Sequence, residues 1–303
     1  MSNQKTELAS LMTTSELRAF QRICSDSGKM LVVAMDQRNS MRAAMRNNGD
    51  QADEISNDDL GDVKCRLVEG LGNFAPALLL DPECALPKAV DTGVLSRDTA
   101  LIVSLDASGY DRGDNSGLRE SRVVEGVNAR KVRDLGGDAG KLLVFMRPDK
   151  DDGDSFAQSL IKKTVEEFEK ENVLLVVEIL VYRLENETEE DYLKLKPELI
   201  LNSAKLAVEN GAKFLKLQYP GSGEASAKVT AAMKGVPWAV LSQGVDHEVF
   251  IEQLKAAMDN GAIGAIAGRS LWKDCVALDA EKMKADLKEK GQPRLNEILN
   301  LLG

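Results

Sequence analysis

The chain has a single histidine, His247, in 303 residues. A catalytic zinc centre usually draws on two or three imidazoles, so metal-assisted chemistry of that type is disfavoured. Positive charge is also in deficit: 39 Lys and Arg stand against 49 Asp and Glu, a net charge of -10. Without a Lys/Arg surplus to displace counterions from phosphates, a nucleic-acid partner is not expected, and an anionic ligand would need a local cluster of donors. The four cysteines, Cys24, Cys65, Cys84 and Cys275, lack the short spacings of a metal site. They fit a reducing cytoplasm better than a disulfide framework. No apolar run is long enough to span a bilayer and no signal-peptide pattern is present, so a soluble cytoplasmic protein without a membrane partner is expected. No linker, low-complexity tract or repeat divides the chain, and residues 1–303 read as one domain.

What the sequence does contain is a repeated alternation. Eight short, often β-branched apolar runs, at 30–37, 76–83, 100–106, 141–148, 174–182, 213–220, 238–244 and 262–269, are separated by helical patterns such as 155–172 and 247–260. Eight strand–helix alternations predict a closed (β/α)8 TIM barrel of the α/β class. An open doubly wound sheet would normally carry a glycine fingerprint after its first strand, and none is there. Thr13-Thr14-Ser15-Glu16 has the form of a capping box and predicts an extra N-terminal helix within 1–28, placed to close the bottom of the barrel. The charged tail 279–303 carries an apolar stripe of Leu295, Ile298, Leu299, Leu301 and Leu302, expected to be a terminal helix packed on its own barrel or on a neighbouring subunit. The run Lys150-Asp151-Asp152-Gly153-Asp154 lacks the remaining positions of a calcium loop and reads as an exposed turn. His247, in Asp246-His247-Glu248, reads as a solvated group at a helix start.

One lysine stands out. In Lys213-Phe214-Leu215-Lys216-Leu217-Gln218, strand alternation puts Phe214, Lys216 and Gln218 on one face and the two leucines on the other, so Lys216 points into an interior. A desolvated ammonium sheds its proton more readily, and a neutral amine is the nucleophile that attacks a ketone. Schiff-base chemistry is therefore expected. Further polar residues gather near strand ends, where barrels place their active sites: Asp36, Gln37, Arg38, Asp81, Glu83, Arg147, Glu178, Ser242, Gln243 and Arg269.

The segments Ala34-Met35-Asp36-Gln37-Arg38, Leu79-Leu80-Asp81-Pro82-Glu83, Lys141-Leu142-Leu143, Val177-Glu178-Ile179, Leu215-Lys216-Leu217, Leu241-Ser242-Gln243-Gly244-Val245 and Ala267-Gly268-Arg269-Ser270-Leu271-Trp272 resemble, in order, the class I tagatose 1,6-bisphosphate aldolases and the related sulfofructose 1-phosphate aldolases. The sequence departs from that pattern at Gln218 and Tyr219 and in a shorter stretch between Lys216 and Ser242. The resemblance implies that Lys216 forms the imine and that Glu178, with a carboxyl pKa raised by its apolar strand, shuttles protons. A structural carboxylate paired with a cation is the other reading of Glu178. Lys141 would keep Lys216 deprotonated or bind substrate oxygens, unless it lies at the barrel bottom. Ser242, Gly244, Gly268 and Arg269 would hold a phosphate in the loops after strands seven and eight. Asp36, Gln37, Arg38 and Asp81 would contact substrate hydroxyls or orient Lys216, although Asp36 also suits a helix cap. Arg183 and Arg147 are expected anchors for a distal anion.

The function the resemblance implies is a metal-independent class I aldolase with no cofactor. It would cleave tagatose 1,6-bisphosphate to dihydroxyacetone phosphate and glyceraldehyde 3-phosphate, or sulfofructose 1-phosphate to 3-sulfolactaldehyde. A sugar-phosphate-binding regulator of little activity is the alternative from another class. A dimer or tetramer is expected from the resemblance and from the apolar terminal stripe.

Overall fold

The structure is a computed structural model that describes residues 8–113, 117–150 and 155–303. Eight parallel strands close into a barrel. They are β1 (Met30–Ala34), β2 (Ala77–Leu80), β3 (Ala100–Ser104), β6 (Ala139–Met146), β7 (Leu174–Val181), β8 (Leu215–Leu217), β9 (Trp238–Leu241) and β10 (Gly264–Ala267). Around the barrel their order is β1-β10-β9-β8-β7-β6-β3-β2. Each lies within or across one of the eight runs expected from the sequence, because strands buried on both faces read as continuous apolar segments. The outward residues, among them Leu215, Leu217, Val177 and Val240, pack under the helical ring.

The inward residues at the lower end are small or aliphatic: Ala77, Ala100, Ala139, Val176 and Ala239 surround Phe214. The helix Thr14–Ile23 closes this end and sets Phe20 edge-on to Phe214, with ring centroids 5.9 Å apart. Thr13 and Glu16 form the reciprocal capping box expected of them. Glu16 is buried and takes Lys213 Nζ at 3.0 Å, so the plug is held by charge as well as by apolar contact. The plug covers the lower end with apolar side chains and leaves the C-terminal ends of the strands as the open face. Gly264 lets β10 approach β1 closely: a Cβ there would stand 2.0 Å from the Met30 carbonyl oxygen.

Between β3 and β6 the chain departs from the simple alternation. An antiparallel hairpin, β4 (Asp106–Arg112) and β5 (Arg119–Val123), rises over the open face. The sequence reading did not assign it, since most of its residues are exposed or half-buried and show no apolar alternation.

The tail forms Ala280–Asp286, a π-helical turn Leu287–Gly291 and a last helix Gln292–Leu302. Leu295, Ile298 and Leu302 are buried in the chain's own core, with Leu299 and Leu301 packed beside them. The stripe therefore packs on its own barrel, with Leu299 and Leu301 left half-buried. The same helix corrects the expectation for His247, which is buried with Nε2 2.8 Å from Glu297 Oε2. Residues 151–154 of the Lys150–Asp154 run lie outside the described residues. Among the described residues the four cysteines are free thiols, and no helix is long and apolar enough to cross a membrane. Burial pushes the Cys24 and Cys275 thiols up to about 12, well away from reactive thiolates.

Candidate active site

Parallel pairing of β7 with β8 puts Glu178 directly beside Lys216. Both side chains point inward, and Lys216 Nζ donates to Glu178 Oε2 at 2.8 Å. One strand further round, β6 begins at Ala139, so Lys141 is its third residue and stands at the level of the site. It is not at the barrel bottom. Lys141 Nζ lies 3.0 Å from the same Glu178 oxygen and 2.7 Å from Asp36 Oδ2, and it also pairs with Asp106. Asp106, the first residue of the hairpin, is fixed by the Ser104 hydroxyl at 2.8 Å and by the Leu143 backbone N–H at 2.6 Å. The resulting cluster holds three carboxylates and two ammoniums, all buried.

Such a cluster is stable only if its charges are mutually compensated. Burial alone would strip the Lys141 proton, but Asp106, Asp36 and Glu178 hold its ammonium well above the ordinary lysine value. Burial would likewise raise Asp36, yet Lys141 and then Lys216 bring it well below the usual carboxylate range. Glu178 is also lowered, because the same two ammoniums outweigh its burial. That result corrects the expectation of a raised Glu178: its strand is apolar, but its partners are cations contributed by neighbouring strands. Asp106 goes the other way. Its burial, reinforced by the like charges of Asp36 and Glu178, outweighs Lys141 and raises its carboxyl. Carboxylate oxygens of Asp36, Asp106 and Glu178 lie within 4.8 Å of one another, a spacing that suits a metal. Here the Lys141 ammonium fills the position a cation would take.

A cavity of about 470 Å³ opens above Lys216 and Glu178. Its volume falls in the usual range for a small-molecule site. Gln37, Ser242, Gly244, Gly268, Arg269 and Arg183, all singled out from the sequence, line it as well. Gln243 and Gly244 both have positive φ, 51° and 80°, which turns the backbone of this loop toward the cavity rim. The Gly268 N–H donates to Ser242 Oγ at 3.3 Å, and Arg269 Nη2 reaches the Gln243 carbonyl at 3.4 Å. A Cβ on Gly268 would stand 2.8 Å from the Ala34 carbonyl oxygen, so this crossing needs glycine. A second cavity of about 280 Å³, lined by Asp36, Arg38, Asp106 and Ser108, shares the walls Gln37 and Phe145 with the first. Asp36 Oδ1 and Gln37 Oε1 are buried with no hydrogen-bond partner among the described residues, which leaves two acceptors for a polyol.

Two of the expected residues stand apart. Asp81 lines neither cavity: it is fully buried, pairs with Lys64 from the helix Asn57–Gly70, and accepts the backbone N–H groups of Glu83 and Cys84. A lysine fully buried in a helix requires a counter-ion, and Asp81 supplies it. Arg147 is consumed by Glu187, at 2.5 and 2.7 Å, by Asp149, at 2.8 and 2.9 Å, and by the Tyr182 carbonyl at 3.1 Å, and has no donor left for a distal anion. Arg38 pairs with Glu83 and donates to the Asp106 carbonyl, which ties the end of β1 to the hairpin. The sequence reading missed Asp106, although it closes the third apolar run, and Arg119, which no local pattern marks.

Comparison with known proteins settles the family. Residues 30–274 match the model of the DeoC/LacD family aldolases. The chain belongs to that family. The resemblance carried by the seven motif segments is thereby borne out, and the protein is an aldolase, a carbon–carbon lyase. Over 321 aligned residues the aldolase is 25% identical to tagatose 1,6-diphosphate aldolase 2 of Streptococcus agalactiae, covering 96% of each chain. It is 26% identical to tagatose 1,6-diphosphate aldolase 1 of Streptococcus mutans, covering 95% of this chain and 96% of that one. In fold, the aldolase superposes with a TM-score of 0.65 on a Schiff-base-forming fructose 1,6-bisphosphate aldolase at 18% identity, covering 94% of this chain and 99% of the other.

Proposed function

We propose that this aldolase works through an imine on Lys216 and cleaves a ketose 1,6-bisphosphate, tagatose 1,6-bisphosphate foremost, to dihydroxyacetone phosphate and glyceraldehyde 3-phosphate. The observation that carries the reading is the buried Lys216–Glu178 pair at 2.8 Å, with the permanent cation Lys141 on the same carboxylate oxygen. Passing one proton across that hydrogen bond gives a neutral amine and a neutral acid side by side. The amine attacks the C2 carbonyl to form a carbinolamine. Glu178 then protonates its hydroxyl, which leaves as water, and the iminium remains. As a carboxylate again, Glu178 takes the C4 hydroxyl proton. The C3–C4 bond breaks, its electron pair enters the enamine, and the aldehyde departs. Return of the proton to C3 and hydrolysis of the imine release dihydroxyacetone phosphate and free Lys216.

The Lys141 ammonium sets Glu178 low enough to be a carboxylate at rest, ready to accept a proton, and is itself held in place by Asp36 and Asp106. The unpartnered Asp36 Oδ1 and Gln37 Oε1 accept from substrate hydroxyls. The loop of Ser242 to Gly244 and the Gly268–Arg269 crossing receive the C1 phosphate, with Arg269 as the charged donor. The choice of tagatose 1,6-bisphosphate rests on the two streptococcal relatives at 25% and 26% identity over nearly their whole length.

The test is cleavage of tagatose 1,6-bisphosphate, fructose 1,6-bisphosphate and sulfofructose 1-phosphate, each followed by NADH oxidation through coupled reduction of the released dihydroxyacetone phosphate. The reading expects turnover in the presence of a chelator and the highest kcat/KM for the tagatose ester. Highest kcat/KM for the sulfonate would transfer the assignment to the sulfosugar. Tight binding of all three esters without cleavage would make the protein a sensor.

A further inference from the structure

Five arginines on the open face are neutralised by carboxylates: Arg38 by Glu83, Arg112 by Glu185, Arg122 by Asp111, Arg147 by Asp149 and Glu187, and Arg183 by Glu189. Arg269, given above to the C1 phosphate, and Arg119, at the start of β5, are different. Arg119 lines the same cavity as Lys216, and among the described residues no carboxylate pairs with it. Its guanidinium lies 4.5 Å from the ring centroids of Tyr110 and Tyr182 and 5.6 Å from that of Phe145. The three rings brace one another edge to face, Phe145 being 5.4 Å from Tyr110 and 6.0 Å from Tyr182. The Arg119 backbone N–H donates to the Tyr182 hydroxyl at 2.9 Å, which ties the base of the side chain to the residue that follows β7.

An arginine stacked in this way spends its faces on the rings and keeps its N–H edge available. The cation is partly desolvated and held in one orientation, so less entropy is lost when it forks onto an oxyanion. Topology fixes which oxyanion. Lys216 is on β8; the loops bearing Ser242 and Arg269 follow β9 and β10 on one side of it, whereas Phe145 on β6 and Tyr182 just past β7 stand on the other. A linear sugar attached at C2 to Lys216, with its C1 phosphate at Arg269, must run its far end toward Arg119. Arg183 adjoins Tyr182 on the same cavity, where its own donors reach the Glu187 carbonyl and Glu189.

We propose that Arg119, in its ring of Tyr110, Phe145 and Tyr182, anchors the terminal oxyanion, phosphate or sulfonate, of the aldehyde half of the substrate. The hairpin is then the specificity element of the site, with Asp106 at its foot in the charge cluster and Arg119 at its substrate-facing strand. This assignment rests on the aldolase reading above.

The test is the condensation direction, with dihydroxyacetone phosphate as donor and glyceraldehyde 3-phosphate, 3-sulfolactaldehyde or neutral glyceraldehyde as acceptor. In Arg119→Met, which keeps apolar bulk on the rings, KM for the anionic acceptors rises about 10- to 100-fold, the loss of a charge-assisted pair. Neutral glyceraldehyde suffers far less, KM for dihydroxyacetone phosphate stays near its original value, and Arg119→Lys recovers part of the loss. The oxyanion with the larger loss is the one the anchor is built for. Equal losses for charged and neutral acceptors, or a fall in thermal stability that accounts for both, would overturn the assignment, as would an unchanged KM for the anions. Failure of the unaltered enzyme to condense any acceptor would instead overturn the aldolase reading and this assignment with it.

Discussion

Replacing Lys141 by Met removes the cation that three buried carboxylates share. At an effective dielectric constant of about 20, an ammonium 2.7 Å from Asp36 and 3.0 Å from Glu178 gains roughly 6 and 5.5 kcal/mol from the two contacts, before the pairing with Asp106 is counted. Much of that gain offsets the desolvation of Lys141 itself, which the variant no longer incurs. The net destabilisation expected for breaking a buried pair is about 3–5 kcal/mol. What remains is Asp36, Asp106 and Glu178 facing Lys216 alone. Carboxylate oxygens within 4.8 Å of one another repel by roughly 3.5 kcal/mol or more per pair, enough to force proton uptake near neutrality.

The sign of the pH dependence follows. In the unaltered protein Asp36 and Glu178 are lowered, so their contribution is fully present above the ordinary carboxylate value of about 4 and does not vary between pH 5 and 8, while Asp106 is already raised and weakens the fold as pH rises through its value in both proteins. In the variant the stranded carboxyls are raised above their unfolded values. The folded state then binds more protons than the unfolded state, and stability climbs as pH falls through the raised values. Urea unfolding at pH 5, 6, 7 and 8 should show a gap between the two proteins that is widest at pH 8 and narrows by at least about 1 kcal/mol at pH 5, one proton's worth of linkage. A gap of the same size at every pH would mean that Lys141 contributes packing only, and the account of the charge cluster would fail.

Arg147→Ala should destabilise the fold by about 2–3 kcal/mol through the loss of charged hydrogen bonds to Asp149 and Glu187, and leave KM for both condensation substrates unmoved. A selective rise in the aldehyde KM, measured beside a urea titration, would return Arg147 to the substrate. Arg269→Ala should raise KM for dihydroxyacetone phosphate about 10- to 100-fold with little change in unfolding midpoint, since the hydrogen bond its side chain makes among the described residues is a 3.4 Å one to the Gln243 carbonyl. Isothermal titration with dihydroxyacetone phosphate, showing equal affinity in both proteins, would remove Arg269 from the phosphate site.

The barrel was legible because its strands are buried on both faces. Each reads as a short apolar run, often β-branched, and only Lys216, Glu178 and Lys141 interrupt the strands with charge. The lower plug was legible for a local reason, the capping box of Thr13 and Glu16. Features set by distant partners were not. Glu178 and Lys141 are 37 residues apart in sequence, and nothing near Glu178 announces the ammonium that lowers it. Arg147 and Arg119 look alike in the sequence, yet Glu187, 40 residues downstream, neutralises one while three aromatic rings hold the other. Asp81 resembles the strand-end carboxylates of the site, and only the inward turn of Lys64 reveals its structural task. His247 reads as a solvated helix start because its cover, the final helix, arrives from the far end of the chain. The hairpin lies outside the barrel's alternation, and its polar surface hides the two residues, Asp106 and Arg119, that it brings to the two adjoining cavities.

The central claim is that Lys216 carries the chemistry. Borohydride reduction of the purified protein with dihydroxyacetone phosphate, in the presence of a chelator, followed by peptide mass mapping, tests it most directly. The account predicts one stable adduct per chain, on Lys216, and none in Lys216→Met. An adduct on Lys141 alone, or no adduct from a protein that still cleaves the sugar ester, would contradict it.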